Sequence, residues 1–178
     1  MDGKLKLHLG CGGHKFEGWI NCDISSEVNP DRIVDLEKQL PFKDNSVKEV
    51  YASMVLEHIN NLVLLIHEPY GVCCNGAKIT IRVPFFSLWH NSTDPTHVRT
   101  FNYRTLSYFN SSYEVKSKKK MFDIRLELIF GGGKFGKYVN RVFYPLTNYS
   151  TFSKDIYCRF FAYWIPALEV KYTLNVVK

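Results

Sequence analysis

Short runs in which apolar and polar residues alternate set the expected strands, and glycine and proline positions set the breaks between them. Leu5, Leu7 and Leu9 alternate with Lys6 and His8, so the three leucines share one face of a strand. That strand runs straight into Gly10-Cys11-Gly12-Gly13, a tight turn where the backbone can take positive φ and no Cβ blocks a ligand. Trp19-Ile20-Asn21-Cys22-Asp23-Ile24 predicts a second strand that ends in an acid. Only Gly10 to Gly18 separates the two, whereas a crossover with its helix takes at least about a dozen residues. The first helix should therefore be missing or cut to a single turn.

Ile33-Val34-Asp35-Leu36 predicts a short third strand at an edge, Lys43-Asp44-Asn45-Ser46 a turn, and Val47 to Ala52 a fourth strand. Val55 to Ile59 suits a helical turn, and Asn61 to Cys73 a helix burying Leu62, Leu65 and Ile66. Pro69 should kink or shorten that helix, because its ring removes a donor and crowds the preceding turn. Asn75-Gly76 then turns the chain, and Ala77 to Pro84 is the plainest strand of all. Beyond it come a loop over Phe85 to Arg99, a helix over Tyr103 to Phe109 and a strand over Met121 to Phe130. Gly131-Gly132-Gly133 is a turn, Tyr138 to Trp164 is mostly helical, and Glu169 to Val177 alternates as a last strand. Neither an internal repeat nor a linker interrupts the series, so residues 1–178 are expected to form a single domain.

Composition adds limits. A chain of 178 residues, 46% of them apolar, can build one full core. Aromatic residues make up 15% and crowd the second half, which predicts an aromatic-walled cavity or a lid there. The five cysteines are odd in number and form no Cys-x-x-Cys, which argues against a disulfide framework or a zinc ribbon. Met1-Asp2-Gly3-Lys4 leads directly into the first strand. With no apolar run of membrane-spanning length, a cytoplasmic protein without a signal peptide is expected. The net charge of +6 comes in part from Lys116, Lys118, Lys119 and Lys120. Such a surface can meet nucleic acid or membrane, but this run has no interleaved aromatic and suits a solvated loop.

The ordered set of motifs is more specific than any one of them. Leu9-Gly10-Cys11-Gly12, Gly18-Trp19-Ile20-Asn21-Cys22-Asp23, Asp35-Leu36, Leu40-Pro41-Phe42, Leu56-Glu57-His58, Val83-Pro84 and Asp94-Pro95-Thr96-His97 follow one another along the chain. In this order they resemble a compact subgroup of the class I S-adenosylmethionine-dependent methyltransferases. The resemblance implies an α/β, Rossmann-like, doubly wound and mostly parallel seven-stranded sheet with an antiparallel terminal strand, the first helix shortened or missing. Two places depart from the pattern: Cys73-Cys74-Asn75-Gly76 stands where the family has Lys-Pro-Gly-Gly, and Pro69 interrupts the helix before it.

The resemblance also implies a donor site. Gly10 and Gly12 allow the close backbone approach that the amino-acid tail of S-adenosylmethionine needs, with Cys11 between them as a small filler. A carboxylate at the end of the second strand can accept both ribose hydroxyls, and Asp23 stands there; a helix or turn cap is the alternative, and the ligand role is favoured because the strand ends at that residue. Asp35 and Leu36 would edge the adenine, although an Asp35 left to solvent fits the sequence as well. Ser53 and Met54 would lie beside the methionine portion. Glu57 and His58 follow that turn, where a carboxylate also simply favours the helix dipole.

The acceptor is expected at the loop after the fifth strand. His97 is the candidate general base, Arg99 a clamp for an acidic group, and His90, Asp94 and Trp89 further acceptor contacts. His90-x-x-x-Asp94-x-x-His97 could ligate a divalent metal, but Asp94-Pro95 is turn-forming and no metal is assigned. A small-molecule or glycan-like acceptor is favoured over nucleic acid, because no Asn-Pro-Pro-Tyr or Asp-Pro-Pro-Tyr for a flipped base is present. A nicotinamide-dependent oxidoreductase would want a third glycine three residues past Gly12, where Lys15 stands. A methyltransferase fold kept only for binding or as a scaffold is the remaining alternative.

Overall fold

The computed structural model describes residues 4–110, 122–130 and 133–178, with backbone alone at 90, 110, 122–126 and 133–136. Among the described residues seven strands form one sheet: β1 (Leu5–Leu9), β2 (Ile20–Asp23), β3 (Arg32–Ile33), β4 (Val47–Ser53), β5 (Cys73–Pro84), β6 (Phe122–Ile129) and β7 (Glu169–Val176). Their order across the sheet is β3-β2-β1-β4-β5-β7-β6. The strands from β3 to β5 run parallel, and β7 runs antiparallel to both β5 and β6. This is the Rossmann-like methyltransferase fold. The chain works outward from β1 to β3 and then returns to β4 on the other side of β1. The carboxyl ends of β1 and β4 therefore flank a crevice of the kind where α/β sheets hold ligands.

The helix α1 (Leu62–Val72) packs Leu65, Ile66 and Pro69 with Leu9, Val50, Ala52, Ile79 and Ile81 around a small apolar void. Asn61 caps it, its side chain accepting from the Leu64 N–H, as an Asn at a helix start commonly does. Pro69 sits inside α1, and the helix stops three residues later as β5 begins. The remaining helices are α2 (His90–Thr93), α3 (Gly133–Asn148) and α4 (Thr151–Ile156), followed by a π turn over Tyr157–Phe161. Asn148 accepts from the Leu128 N–H and donates to the Leu128 carbonyl. A side chain of α3 thus covers part of the sheet's exposed edge at β6. No helix among the described residues is long and apolar enough to cross a membrane.

No helix joins β1 to β2, as the short spacing requires. The loop that replaces it lays Phe16 flat against His8, centroids 4.3 Å apart, with Tyr51 and Trp19 completing the ring cluster. Asn21 pins the loop in place. Its side chain accepts from the Phe16 N–H at 2.8 Å and donates to the Phe16 carbonyl, the Trp19 carbonyl and Asp31.

Two strands differ from the sequence expectation by more than one residue at an end. β3 is only Arg32–Ile33, displaced from the expected Ile33–Leu36, because the Asp35 side chain takes the Glu37 N–H and turns the chain out of the sheet. β5 begins at Cys73 instead of Ala77. Asn75 and Gly76 form no turn between elements. Gly76 takes φ +76° within a register step, where Val47 pairs with Cys73 and Glu49 with Lys78, so the extra residues bulge out of the strand. The expected helix over Tyr103 to Phe109 is a 3-10 segment at Thr105–Asn110, and α2 adds a single turn inside the Phe85 to Arg99 loop. The expected lysine run 116–120, Met121 and Gly131-Gly132 lie outside the described residues.

Two measurements test this account. Asn21→Ala leaves several backbone groups of the loop without partners and should lower the unfolding free energy in urea by roughly 2 kcal/mol or more. His8 is buried, which lowers its pKa from the usual 6.5. As pH falls through that value the unfolded chain takes up a proton that the folded chain resists, so stability is lost toward acid. His8→Gln should flatten the fall in melting temperature between pH 7 and pH 5 (about the range of an unperturbed histidine).

Candidate functional site

Gly10 is required at the end of β1 on two counts. Its φ is +65°, and a Cβ there would lie 2.5 Å from a methyl of Val55. Gly12 also takes positive φ, +49°, but faces open space. Its N–H donates to Asp23 at 2.8 Å, and the second oxygen of Asp23 accepts from the Ser25 N–H at 3.0 Å. Asp23 therefore does cap the glycine turn, while each carboxylate oxygen keeps a further lone pair for a ligand. Cys11 is buried between the glycines, and burial raises its thiol pKa, which disfavours the thiolate. All five cysteines are free.

A cleft with about 760 Å³ of empty space, its mouth included, opens beside this turn. Gly10, Asp23, Asp35 and Leu36 line it, together with Ile24, Val34, Val55 and His58. Asp35 is held below the ordinary carboxylate range, first by the Glu37 N–H and then by Lys38 at 3.1 Å. The other four residues expected at the donor, Cys11, Gly12, Ser53 and Met54, are not part of this lining. Met54 instead takes φ +53°, with its N–H bonded to the Arg82 carbonyl and its side chain largely exposed. A non-glycine residue in that region at a strand end is a locally strained backbone.

The loop after β5 folds back onto the end of β4. The Val98 N–H donates to the Glu57 carbonyl at 2.9 Å, which brings residues 94–99 against the 3-10 turn Leu56–His58. Thr96 Oγ1 lies 2.8 Å from His58 Nδ1 and donates to Asp94 at 2.6 Å. The rings of His58 and His97 meet edge to face, 4.8 Å between centroids. His97 is nearly buried, with Nε2 3.7 Å from Asp94 and Nδ1 without a hydrogen-bond partner. Glu57 is 1% exposed, its Oε2 has no partner, and burial pushes its pKa up to about 7.

The structure thus joins His97 to Glu57 and His58, a grouping that its loop spacing with His90 and Asp94 does not suggest. Glu57 is the functional candidate that the sequence undervalues. Its place in Leu56-Glu57-His58 is a signal, but nothing local reveals that the carboxylate is buried. Arg99 donates to the Asn60 carbonyl and lines a separate groove with Arg104 and Tyr108. Trp89 is 64% exposed, and the His90 side chain lies outside the described residues. The aromatics that crowd the second half divide between core and surface. Phe85 bridges to Phe101 as β5 ends and is fully buried, whereas Trp164 is 86% exposed.

No protein-family model and no curated protein matches the chain. Solved structures do match its fold. A SAM-dependent methyltransferase from Archaeoglobus fulgidus aligns with 98% of this chain and 87% of its own, at 18% identity and a TM-score of 0.67. The YcgJ protein of Bacillus subtilis aligns over 99% and 93%, at 13% identity and 0.63. Phosphoethanolamine N-methyltransferase 2 of Haemonchus contortus, in complex with S-adenosyl-L-methionine, aligns over 98% and 49%, at 13% identity and 0.61. At these identities the likeness is one of fold.

The two glycines give a paired test of the turn. Ala at either position carries the left-handed penalty, about 1–2 kcal/mol, but only Gly10→Ala also meets Val55. Gly10→Ala should therefore lower the melting temperature more than Gly12→Ala, and equal losses would contradict the packing described.

Proposed function

We propose that the protein is an S-adenosylmethionine-dependent methyltransferase acting on a small-molecule or glycan-like acceptor. One observation carries this reading: a glycine turn too tight for a Cβ and two carboxylates, Asp23 and Asp35, surround one cleft at the β1–β4 crevice. That arrangement fits the donor. The turn admits an amino-acid tail against bare backbone, Asp23 suits a ribose diol, and Asp35 with Leu36 suits an adenine edge. Bound there, S-adenosylmethionine supplies a methyl group already activated by the positive sulfur.

The chain's own residues then have little covalent work to do. Their task is alignment, because holding acceptor and donor in line removes most of the entropic barrier of a bimolecular displacement. His58 lines the cleft on the side of β4, with His97 and Glu57 behind it, and this wall is where the acceptor is expected. His97 is the candidate to take the proton from an acceptor O–H or N–H, with His58 standing between its buried Nδ1 and the cleft. Asp94 steadies the opposite edge of its ring. Arg99, Trp89 and His90 are acceptor contacts in this reading only if the acceptor extends away from the cleft.

Calorimetric titration with S-adenosylmethionine and, separately, NAD⁺ tests the assignment. Micromolar affinity for the sulfonium donor is expected, lost in Asp23→Ala and absent for the dinucleotide. Binding of NAD⁺ instead, or of neither ligand, overturns it; the second outcome favours a fold retained for binding alone.

A further inference from the structure

We propose that Glu57, His58 and His97 bind one divalent first-row transition ion on the wall of the cleft. One ligating atom from each lies within 4.8 Å of those from the other two. Metal–ligand bonds of about 2.0–2.2 Å put donors on one ion about 3–4 Å apart. Movement of less than about 1 Å per side chain closes the set.

The hydrogen-bond directions leave a bare donor atom on each residue. Thr96 Oγ1 has a single hydrogen, and Asp94 Oδ1 at 2.6 Å accepts it, since a carboxylate has none to give. The contact between that hydroxyl and His58 Nδ1 must then be donated by the ring, which leaves Nε2 of His58 as a lone pair. Asp94 Oδ2 beside Nε2 of His97 favours the proton there, and leaves the buried, unpartnered Nδ1 as the lone pair. Asp94 thereby orients the His58 ring through Thr96, in the manner of the outer-shell groups that orient metal-bound histidines, while its second oxygen acts on His97 across 3.7 Å by charge alone. The third atom is Glu57 Oε2, buried and without a partner. A buried carboxylate oxygen that no protein donor satisfies is costly, and a cation is the partner that would relieve it.

Two imidazole nitrogens and one carboxylate oxygen form a borderline ligand set. It suits zinc, cobalt, nickel or iron(II) better than magnesium or calcium, which favour oxygen throughout. Three protein ligands also leave a coordination position open, as in catalytic and not structural sites. Because His58 lines the cleft, that position can hold an acceptor oxygen close to the donor, and His97 then serves as a ligand instead of a base. This role rests on the methyl-transfer reading. The binding of the ion does not.

The test uses the full chain, stripped with a chelator and titrated with cobalt(II) chloride, followed by displacement with zinc. One cobalt per chain is expected, with a visible d–d band from a site of low coordination number. His58→Ala and His97→Ala should each weaken binding by at least about tenfold, and Thr96→Val, which offers the ion no ligand, also by about tenfold. His14→Ala on the glycine turn should bind as the wild type does, and circular dichroism verifies that every variant is folded. Absence of the band, or equal cobalt affinity in wild type, His58→Ala and His97→Ala, overturns the site. Calorimetry with S-adenosylmethionine on the same stripped protein separates the two readings. A chain that binds the donor but no cobalt refutes the ion alone, and one that binds cobalt but no donor upholds the ion while the methyl-transfer reading falls.

Discussion

The side chain of Asn21 is the fastening on which the donor half of the molecule depends. A Rossmann-like sheet ordinarily covers the face of its first strands with a helix, and this chain has only a loop there. A loop over a buried strand must find partners for its own backbone groups. Asn21 supplies them at Phe16 and Trp19 while also holding Asp31. With the loop fixed, Phe16 can shield His8 and Tyr51, and β2 delivers Asp23 to the glycine turn two residues later. The Gly-Trp-x-Asn-x-Asp motif therefore does two jobs at once. Its Asn builds the cover and its Asp edges the cleft.

On the other side of the cleft the decisive contact is between main-chain groups. The Val98 N–H and the Glu57 carbonyl join two segments forty residues apart in sequence. With the Thr96–His58 and Arg99–Asn60 contacts this bond sets His97 beside His58. Burial of a carboxylate with one oxygen left unpartnered is unfavourable. The two walls of the cleft thus differ in kind. One offers backbone and partly exposed carboxylates, the other imidazoles near a desolvated acid.

Much of this was legible in the chain itself. Alternation at Leu5, Leu7 and Leu9 and at Ile79, Ile81 and Val83 marks central strands because one side-chain set is buried there. The residue count between β1 and β2 excludes a helix by length alone. What escaped sequence reading depends on contacts between distant segments. Asp35 ends β3 early by capping its own turn, and Gly76 lets β5 bulge instead of breaking, choices that an isolated Asp or Asn-Gly does not disclose. Phe85 looks like a cleft aromatic until its bridge to Phe101 is seen to carry it inward. Glu57 looks like an ordinary carboxylate at a helical turn until the loop from β5 covers it.

The missing first helix has an electrostatic consequence. Where a glycine turn feeds a helix, the aligned peptide dipoles place roughly half a positive charge at the ligand, and a diphosphate bridge relies on that field. Here the turn after β1 leads into Phe16 and a ring stack, with no macrodipole behind it. Its N–H groups act singly, beside the carboxylate of Asp23 and that of Asp35, the latter paired with Lys38. Without the helix the turn lacks the concentrated positive field on which an anionic bridge relies. What remains at the end of β1 is single hydrogen bonds and close approach to bare backbone at Gly10.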